Sequence, residues 1–319
     1  MEKINKPRIV FMGTPDFAAH ILSHLLEKKH QIISVYTQED KRIGRKQILE
    51  KTAVKKVAEE NNLEIFEPKK FDKETILKLQ EQIPDLIIVA AYGKILPKEV
   101  LEIPKFGAIN IHPSFLPKYR GASPIQNTLL NGEKETAVTI ILIEEKVDAG
   151  KILVQEKVKI EDNETYPKLS QKLSKISAEI LEKTISPWLE GKINPIAQND
   201  SLATFCQIIK KEDGKINWSD TAQNIYNQYR AFYSWPGVFT YWKKEEREWR
   251  LKLNKIKSDS SEIENNFKIG EIFLENDQIK IKTGKGNIIL EEIQLEGKNK
   301  MSGADFIRGY PQFIESVLK

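Results

Sequence analysis

Histidine is scarce in this chain, four among 319 residues, so each one is worth weighing as a chemical group. His112 follows Asn110 by two positions, in Asn110-Ile111-His112-Pro113-Ser114. The preceding apolar run, Ala108–Ile111, reads as a strand, and residues two apart on a strand share a face. An amide donor and an imidazole therefore project together from one strand end. The same spacing also suits a polar pair that only closes a loop. Asp148, in Val147-Asp148-Ala149-Gly150, follows another apolar strand and taken alone reads as a turn residue. His20 and His24 are spaced like two ligands on one helix face, but there is no third ligand and no HExxH glutamate. No metal site is expected. Gly13-Thr14-Pro15-Asp16 lacks the three glycines of a dinucleotide fingerprint and reads as a turn.

The elements that must position these residues alternate in kind. Arg8–Met12, Ile32–Tyr36, Leu86–Tyr92, Ala108–Ile111 and Val138–Ile143 are apolar runs of strand length. Between them lie helical patterns. The first has Thr14 as expected N-cap, Pro15 at the first helical position and Asp16 in the first turn, and runs to about Lys29; Val54–Asn62 and Lys73–Gln82 follow. Thr165–Trp188 has helical periodicity. This order predicts an α/β fold with a doubly wound, mostly parallel sheet, whose ligands sit beyond the carboxyl ends of the strands. His112 is at such an end.

The pattern changes near Gly191. The expected division is residues 1–190 as a first domain, 191–206 as a linker and 207–319 as a second domain. In the second, Ser219 is the expected cap of a helix through Phe232. Short alternating segments follow: Val238–Trp242, Trp249–Lys257, Gly270–Leu274, Gln278–Lys282 and Ile288–Leu295. They predict a small β-barrel. Tyr229, Phe232, Tyr233, Trp235, Tyr241 and Trp242 read as packing residues.

Composition narrows the class. Net charge is +4, from 50 Lys and Arg against 46 Asp and Glu, too mild to imply a nucleic-acid partner by itself. A single cysteine, Cys206, excludes an internal disulfide and a Cys-rich zinc site. No apolar run approaches the roughly 20 residues that span a bilayer, and Met1–Arg8 is charged. A cytoplasmic protein without membrane contact is expected.

The segment Gly107–Ile125, with Asn110-Ile-His-Pro-Ser followed far downstream by Val147-Asp-Ala-Gly, resembles the 10-formyltetrahydrofolate-dependent formyltransferases. Phe11-Met-Gly-Thr-Pro-Asp-Phe17 and Ala91-Tyr-Gly-Lys-Ile-Leu-Pro97 add to the resemblance, which extends through the second domain. It implies a catalytic trio of Asn110, His112 and Asp148. Formyl transfer to an amine passes through a tetrahedral oxyanion, for which Asn110 and protonated His112 are donors, while Asp148 orients the imidazole. The resemblance places 10-formyltetrahydrofolate as co-substrate against Ala91, Tyr92, Gly93, Ile95, Leu96 and Val147. Ser114, Phe115, Leu116 and Pro117 correspond to the family's Ser-Leu-Leu-Pro folate contact, with Phe115 in place of the first leucine.

Within the family, the Gly-Thr-Pro-Asp-Phe segment and the second domain point to the branch that acts on initiator methionyl-tRNA, with a monomer as the expected form. Lys41, Arg42, Arg45, Lys46, Lys51, Lys55 and Lys56 form a basic run opposed only by Glu50. It resembles the loop that enters the acceptor stem, where Arg45 and Arg42 compete for the leading role and Lys46 assists. Arg250 and Lys252 alternate with Leu251 and Leu253, giving a basic outer face for phosphates or merely an ordinary barrel strand. Two other acceptors fit the same chemistry, a glycinamide ribonucleotide and an amino-sugar nucleotide. A non-catalytic RNA-binding protein is a third reading, disfavoured by the intact trio.

Overall fold

Apolar runs too short for helices form the strands, and the polar-faced segments between them coil. The computed structural model describes residues 6–43, 47–261 and 267–319. The first part begins β1 (Arg8–Gly13), α1 (Asp16–Glu27), β2 (Gln31–Tyr36), β3 (Lys41–Ile43), β4 (Ile48–Glu50), α2 (Ala53–Glu60) and β5 (Ile65–Phe66). It continues through α3 (Lys73–Glu81), β6 (Leu86–Ala90), α4 (Lys98–Leu101), β7 (Ala108–His112), β8 (Arg120–Gly121) and α5 (Pro124–Leu130). Then come β9 (Glu135–Leu142), β10 (Ile152–Lys159), α6 (Tyr166–Leu189) and β11 (Phe205–Cys206). Two compact units emerge. The first holds the described residues up to Pro124 with Glu135–Ile160 and Ser170–Gln207; the second holds Ile125–Lys134, Glu161–Leu169 and the described residues from Ile208 onward.

The sheet of the first unit has seven strands in the order β10-β9-β7-β6-β1-β2-β5. Pairs from β5 to β7 are parallel, while β9 and β10 are antiparallel to their neighbours. The doubly wound, mostly parallel expectation therefore holds, with an antiparallel flank. Val10, Met12, Ile87 and Val89 alternate onto one face and pack with Leu79 of α3 and Val100 of α4. α1 contacts β1, β2 and β6 and buries Phe17, Ile21, Leu22 and Leu25. At roughly 1.5–3 kcal/mol per buried large apolar side chain, this two-sided cover fixes the strands beneath the site.

Three local expectations change. α1 begins at Asp16 with Pro15 as N-cap and no side-chain cap. Thr14, expected to cap it, instead donates its Oγ1–H to the Tyr92 carbonyl at 2.9 Å, tying the ends of β1 and β6 together. β6 stops at Ala90 rather than Tyr92, because Ala91 turns to a positive φ of 45°. In the second unit, helix α7 (Ala222–Ala231) is capped by Thr221, whose hydroxyl accepts from Asn224 N, rather than by Ser219. Residues 191–206 do more than connect: they supply β11, which pairs with β8, and side chains described below.

The second unit continues with β12 (Val238–Lys244), β13 (Arg247–Asp259), β14 (Ile272–Glu275), β15 (Gln278–Lys282), β16 (Asn287–Leu295), β17 (Met301–Ser302) and α8 (Gly303–Gly309). These strands form an antiparallel sheet in the order β12-β13-β16-β15-β14, with β17 against β16. The chain's last residues bond to both edges: Leu318 N–H to Gly270 O at 2.9 Å and Lys319 N–H to Tyr241 O at 3.0 Å. Covering both edges in this way closes the sheet into a small barrel. Trp242, Phe306 and Phe313 stack edge-on inside it. Tyr229, Phe232 and Trp242 are buried as expected of packing residues, whereas Tyr233 and Trp235 are exposed.

Candidate active site

β7 lies between β6 and β9, so its backbone is fixed from both sides: Asn110 pairs with Val89 and Ile141, and His112 with Thr139. The Asn110 and His112 side chains leave the same face, as their spacing requires. The connection from β9 to β10 brings Asp148 back to them. Gly150 is essential to that return, because a Cβ there would overlap Leu142 O. Asp148 itself sits at φ 51°, a left-handed conformation unusual for a residue other than glycine.

The carboxylate of Asp148 is the hub. Its Oδ1 accepts from Asn110 Nδ2 at 3.2 Å, and its Oδ2 accepts from the Gly121 N–H at 2.8 Å. Oδ2 also lies 3.5 Å from His112 Nδ1, with the two side chains only 12% and 4% exposed. His112 Nε2 is 2.9 Å from the Tyr119 carbonyl. A carbonyl only accepts, so Nε2 carries hydrogen. Nδ1 is the nitrogen that faces Asp148. Cys206 is nearby through the pairing of β11 with β8. Burial, then the charge of Asp148, pushes its thiol up to about 12.

The expected folate residues divide by exposure. Ala91, Gly93, Ile95 and Val147 are exposed, with Gly93 at φ 78°. Tyr92 is buried, and its carbonyl accepts from Thr14 Oγ1 and from Gln38 Nε2 at 2.8 Å. Leu96 packs into the core beside Tyr92. Ser114 is fully buried, and its hydroxyl donates to Lys118 O at 2.7 Å, so this side chain holds its own loop. Leu116 is buried, Pro117 is half-buried and Phe115 lies beneath Lys157 Nζ at 5.4 Å. A pocket of about 350 Å³ opens beside Asp148, lined by Arg120, Lys146, Val147, Ala149, Asp200, Ala203 and Phe205.

The basic run is less basic than its composition. Lys51 pairs with Glu59, Lys55 with Asp40 and Glu67, and Lys56 with Glu50. Glu67 and Asp40 raise the Lys55 pKa above its ordinary value. Folding brings in acids from outside the run, which a linear count cannot see. Among the described residues of the run, Lys41 and Arg42 keep no acid partner; Arg45 and Lys46 lie outside the described residues. On β13, Leu251 and Leu253 are buried while Arg250 and Lys252 are half-buried, with the Arg250 guanidinium stacked 3.7 Å from the Phe239 ring. Burial, then the positive charge of Lys175, lowers the His20 pKa. Among the described residues no group of three or more His, Cys, Asp or Glu is placed to hold a metal. None of their helices is long and apolar enough to cross a membrane.

Residues 7–185 match the family described as formyl transferase, and residues 208–311 match the formyl transferase C-terminal domain. The methionyl-tRNA formyltransferase of Caldicellulosiruptor saccharolyticus is 44% identical over 306 residues, covering 95% of this chain and 96% of the relative. The chain belongs to the methionyl-tRNA formyltransferase family. Its member from Halalkalibacterium halodurans is 40% identical over 95% of this chain and 94% of its own. An N-formyltransferase from Helicobacter canadensis, solved with folinic acid and dTDP-3-aminofucose, shares the fold at a TM-score of 0.65 and 21% identity. It covers 89% of this chain and 98% of its own.

Against this formyltransferase fold, Asn110, His112 and Asp148 come together in one cluster, as expected from the sequence. Gly121, which donates to the Asp148 carboxylate, and Gln198, which donates to the Asp148 and Gly150 carbonyls and accepts from Arg120, carried no expectation from the sequence. Arg120 and Gly121 lie inside the motif-rich segment, where a local signal existed. Gln198 lies in the Asn- and Pro-rich stretch, where none did.

Proposed function

We propose that this protein transfers the formyl group of 10-formyltetrahydrofolate to the α-amine of initiator methionyl-tRNA, working as a monomer in the cytoplasm. The observation that carries the chemistry is the buried contact of Asp148 with both Asn110 and His112. The amine attacks the formyl carbon, and a negative charge grows on the formyl oxygen. Asn110 spends one N–H on Asp148 and has a second to aim at that oxygen; such a preorganised donor is worth a few kcal/mol in the transition state. In place of the oxyanion donor that the resemblance implied, His112 serves as the base: with its Nε2–H on the Tyr119 carbonyl, its Nδ1 takes the proton from the attacking amine, and the carboxylate of Asp148 stabilises the imidazolium. When the carbon–nitrogen bond to the folate breaks, that proton passes to the departing nitrogen. Net, one N–C bond forms, one breaks and one proton moves between nitrogens. No covalent enzyme intermediate is required.

The exposed backbone at Ala91 and Gly93, together with Ile95 and Val147, suits the folate ring. Arg42, with Lys41, supplies the uncompensated charge for the acceptor stem, and Arg45 and Lys46 complete that loop in this reading. Arg250 and Lys252 add a phosphate-facing strand. The decisive assay offers 10-formyltetrahydrofolate with charged initiator tRNA, glycinamide ribonucleotide or an amino-sugar nucleotide. Formyl-methionine on the tRNA alone is the expected result. Formylation of either small amine in preference to the tRNA overturns the acceptor assignment.

A further inference from the structure

Asp148 sits at φ 51°, a left-handed conformation that L-residues rarely adopt, so its surroundings must hold it there. The holder is not its own turn alone. Gln198, fifty positions away, donates from one Nε2 to the carbonyls of Asp148 and Gly150, both at 2.8 Å. The two bonds bracket Ala149 and clamp the turn on both sides. A glutamine amide can do this only if its orientation is fixed, since its oxygen and nitrogen are nearly the same shape.

Arg120 fixes it. Its Nε and terminal nitrogen both donate to Gln198 Oε1, at 3.1 and 2.8 Å. A guanidinium has only donors, so Oε1 must be the atom facing it and Nε2 must face the carbonyls. Arg120 is itself buried, with its side chain 4% exposed, and its remaining partner is Asp200 at 2.7 Å. The next residue, Gly121, gives its N–H to the carboxylate of Asp148. Backbone and carboxylate of Asp148 are thus held through adjacent positions of one segment, in a closed circuit from Arg120 to Gln198 to Asp148 and back through Gly121.

We infer that Gln198 and Arg120 are positioning residues for the formyl transfer, setting the direction from which Asp148 meets Asn110 and His112. This rests on the role given above to that trio. Asp200 is the outer support, and its carboxyl is held below the usual carboxylate range by the hydrogen bond and charge of Arg120. Neither Gln198 nor Arg120 needs to touch substrate.

Four variants of the full chain test this, assayed for kcat and KM with thermal midpoints measured in parallel. Gln198→Glu keeps size and the Arg120 contact but replaces the donor with an oxygen facing two carbonyl oxygens. Gln198→Met keeps volume and has no donor. Both are expected to lose at least about tenfold in kcat with KM for folate and tRNA within about twofold. Arg120→Lys keeps charge without the fork and should lose several-fold. A packing role would be rescued by Met, so wild-type kcat in Gln198→Met or Gln198→Glu overturns the inference. A fall in thermal midpoint with kcat per folded molecule unchanged overturns it equally. Asp148→Asn in the same assay separates the two levels. If it is nearly inactive while the Gln198 variants are normal, only the positioning role fails; if it is also normal, the trio fails with it.

Discussion

The turn carrying Asp148 and the hairpin β3–β4 are both polar excursions from the first unit, and they are built on opposite terms. In the turn, both carboxylate oxygens and the main-chain carbonyl of Asp148 are engaged. Hydrogen bonds of about 0.5–1.5 kcal/mol each, more with a charged acceptor, exceed the roughly 1–2 kcal/mol cost of its left-handed backbone. In the hairpin, Ile48 and Leu49 are 61% and 59% exposed, and among the described residues the Arg42 guanidinium is held by Gln47 O at a long 3.4 Å. Acid–base chemistry needs atoms fixed before the substrate arrives. Attraction of a polyanion needs charge at the right place, and the remaining contacts form with the partner.

If that contrast is correct, changes in the turn act on turnover and changes in the hairpin act on binding. The largest effect belongs to the trio. Asn110→Ala and His112→Ala should each lower kcat by on the order of 10²-fold or more, with little change in tRNA affinity. Asp148→Asn should do likewise, since an amide offers one oxygen where Gly121 N–H and Asn110 Nδ2 now use two. Steady-state kinetics beside filter binding of tRNA would decide; a KM effect with normal kcat would erase the contrast.

Gly150→Ala comes next. Its new methyl group would overlap Leu142 O, and forcing room for it costs about 1–3 kcal/mol. Because the same glycine returns the chain toward β7, kcat should fall along with the thermal midpoint. A variant that melts earlier but turns over normally would mean that the turn tolerates displacement.

Arg42→Ala should be milder in kcat and larger in KM for tRNA, with the thermal midpoint unchanged. Its penalty should shrink as salt rises, because a phosphate contact releases counterions on binding. A salt-independent defect would place Arg42 in the fold instead of at the nucleic acid.

How much of the fold and of the site is legible in the sequence follows from where each signal sits. β1, β6 and β7 are continuous apolar runs and were legible. β10 is an edge strand with a mixed burial pattern, and β3 and β4 are three residues each, too short to show a period. Spacing on one strand put Asn110 and His112 on a common face but suited a loop-closing pair equally well until the family resemblance was added. Asp148 was only a turn aspartate until the family resemblance joined it to them. Gln198 meets Arg120 across 78 positions, and no local pattern encodes such a contact. The basic run loses charge for the same reason: Glu59 and Glu67, which follow it in sequence, and Asp40, which precedes it, neutralise Lys51 and Lys55 beyond the hairpin.

The smallest expected effect uses Cys206 as a reporter of the held region. Its thiol is buried next to Gly121 and raised from an ordinary 9.0 to about 12, first by burial and then by Asp148. Since only the thiolate is alkylated, native protein at pH 9 should react with iodoacetamide far more slowly than denatured protein. The raised pKa also has a sign for stability. Below pH 9 the thiol is protonated in both states and contributes no pH dependence; between pH 9 and about 12 the unfolded thiol ionises first, so folding weakens as pH rises. Asp148→Asn removes the second cause and leaves the first, so alkylation should speed up by a few-fold at most, with protection largely intact. Native alkylation as fast as denatured would show that β8 and β11 part readily, and the turn would then be no better held than the hairpin. An unchanged rate in Asp148→Asn would mean that Cys206 does not sense the carboxylate, and would place that charge farther from β11 than the turn described above requires.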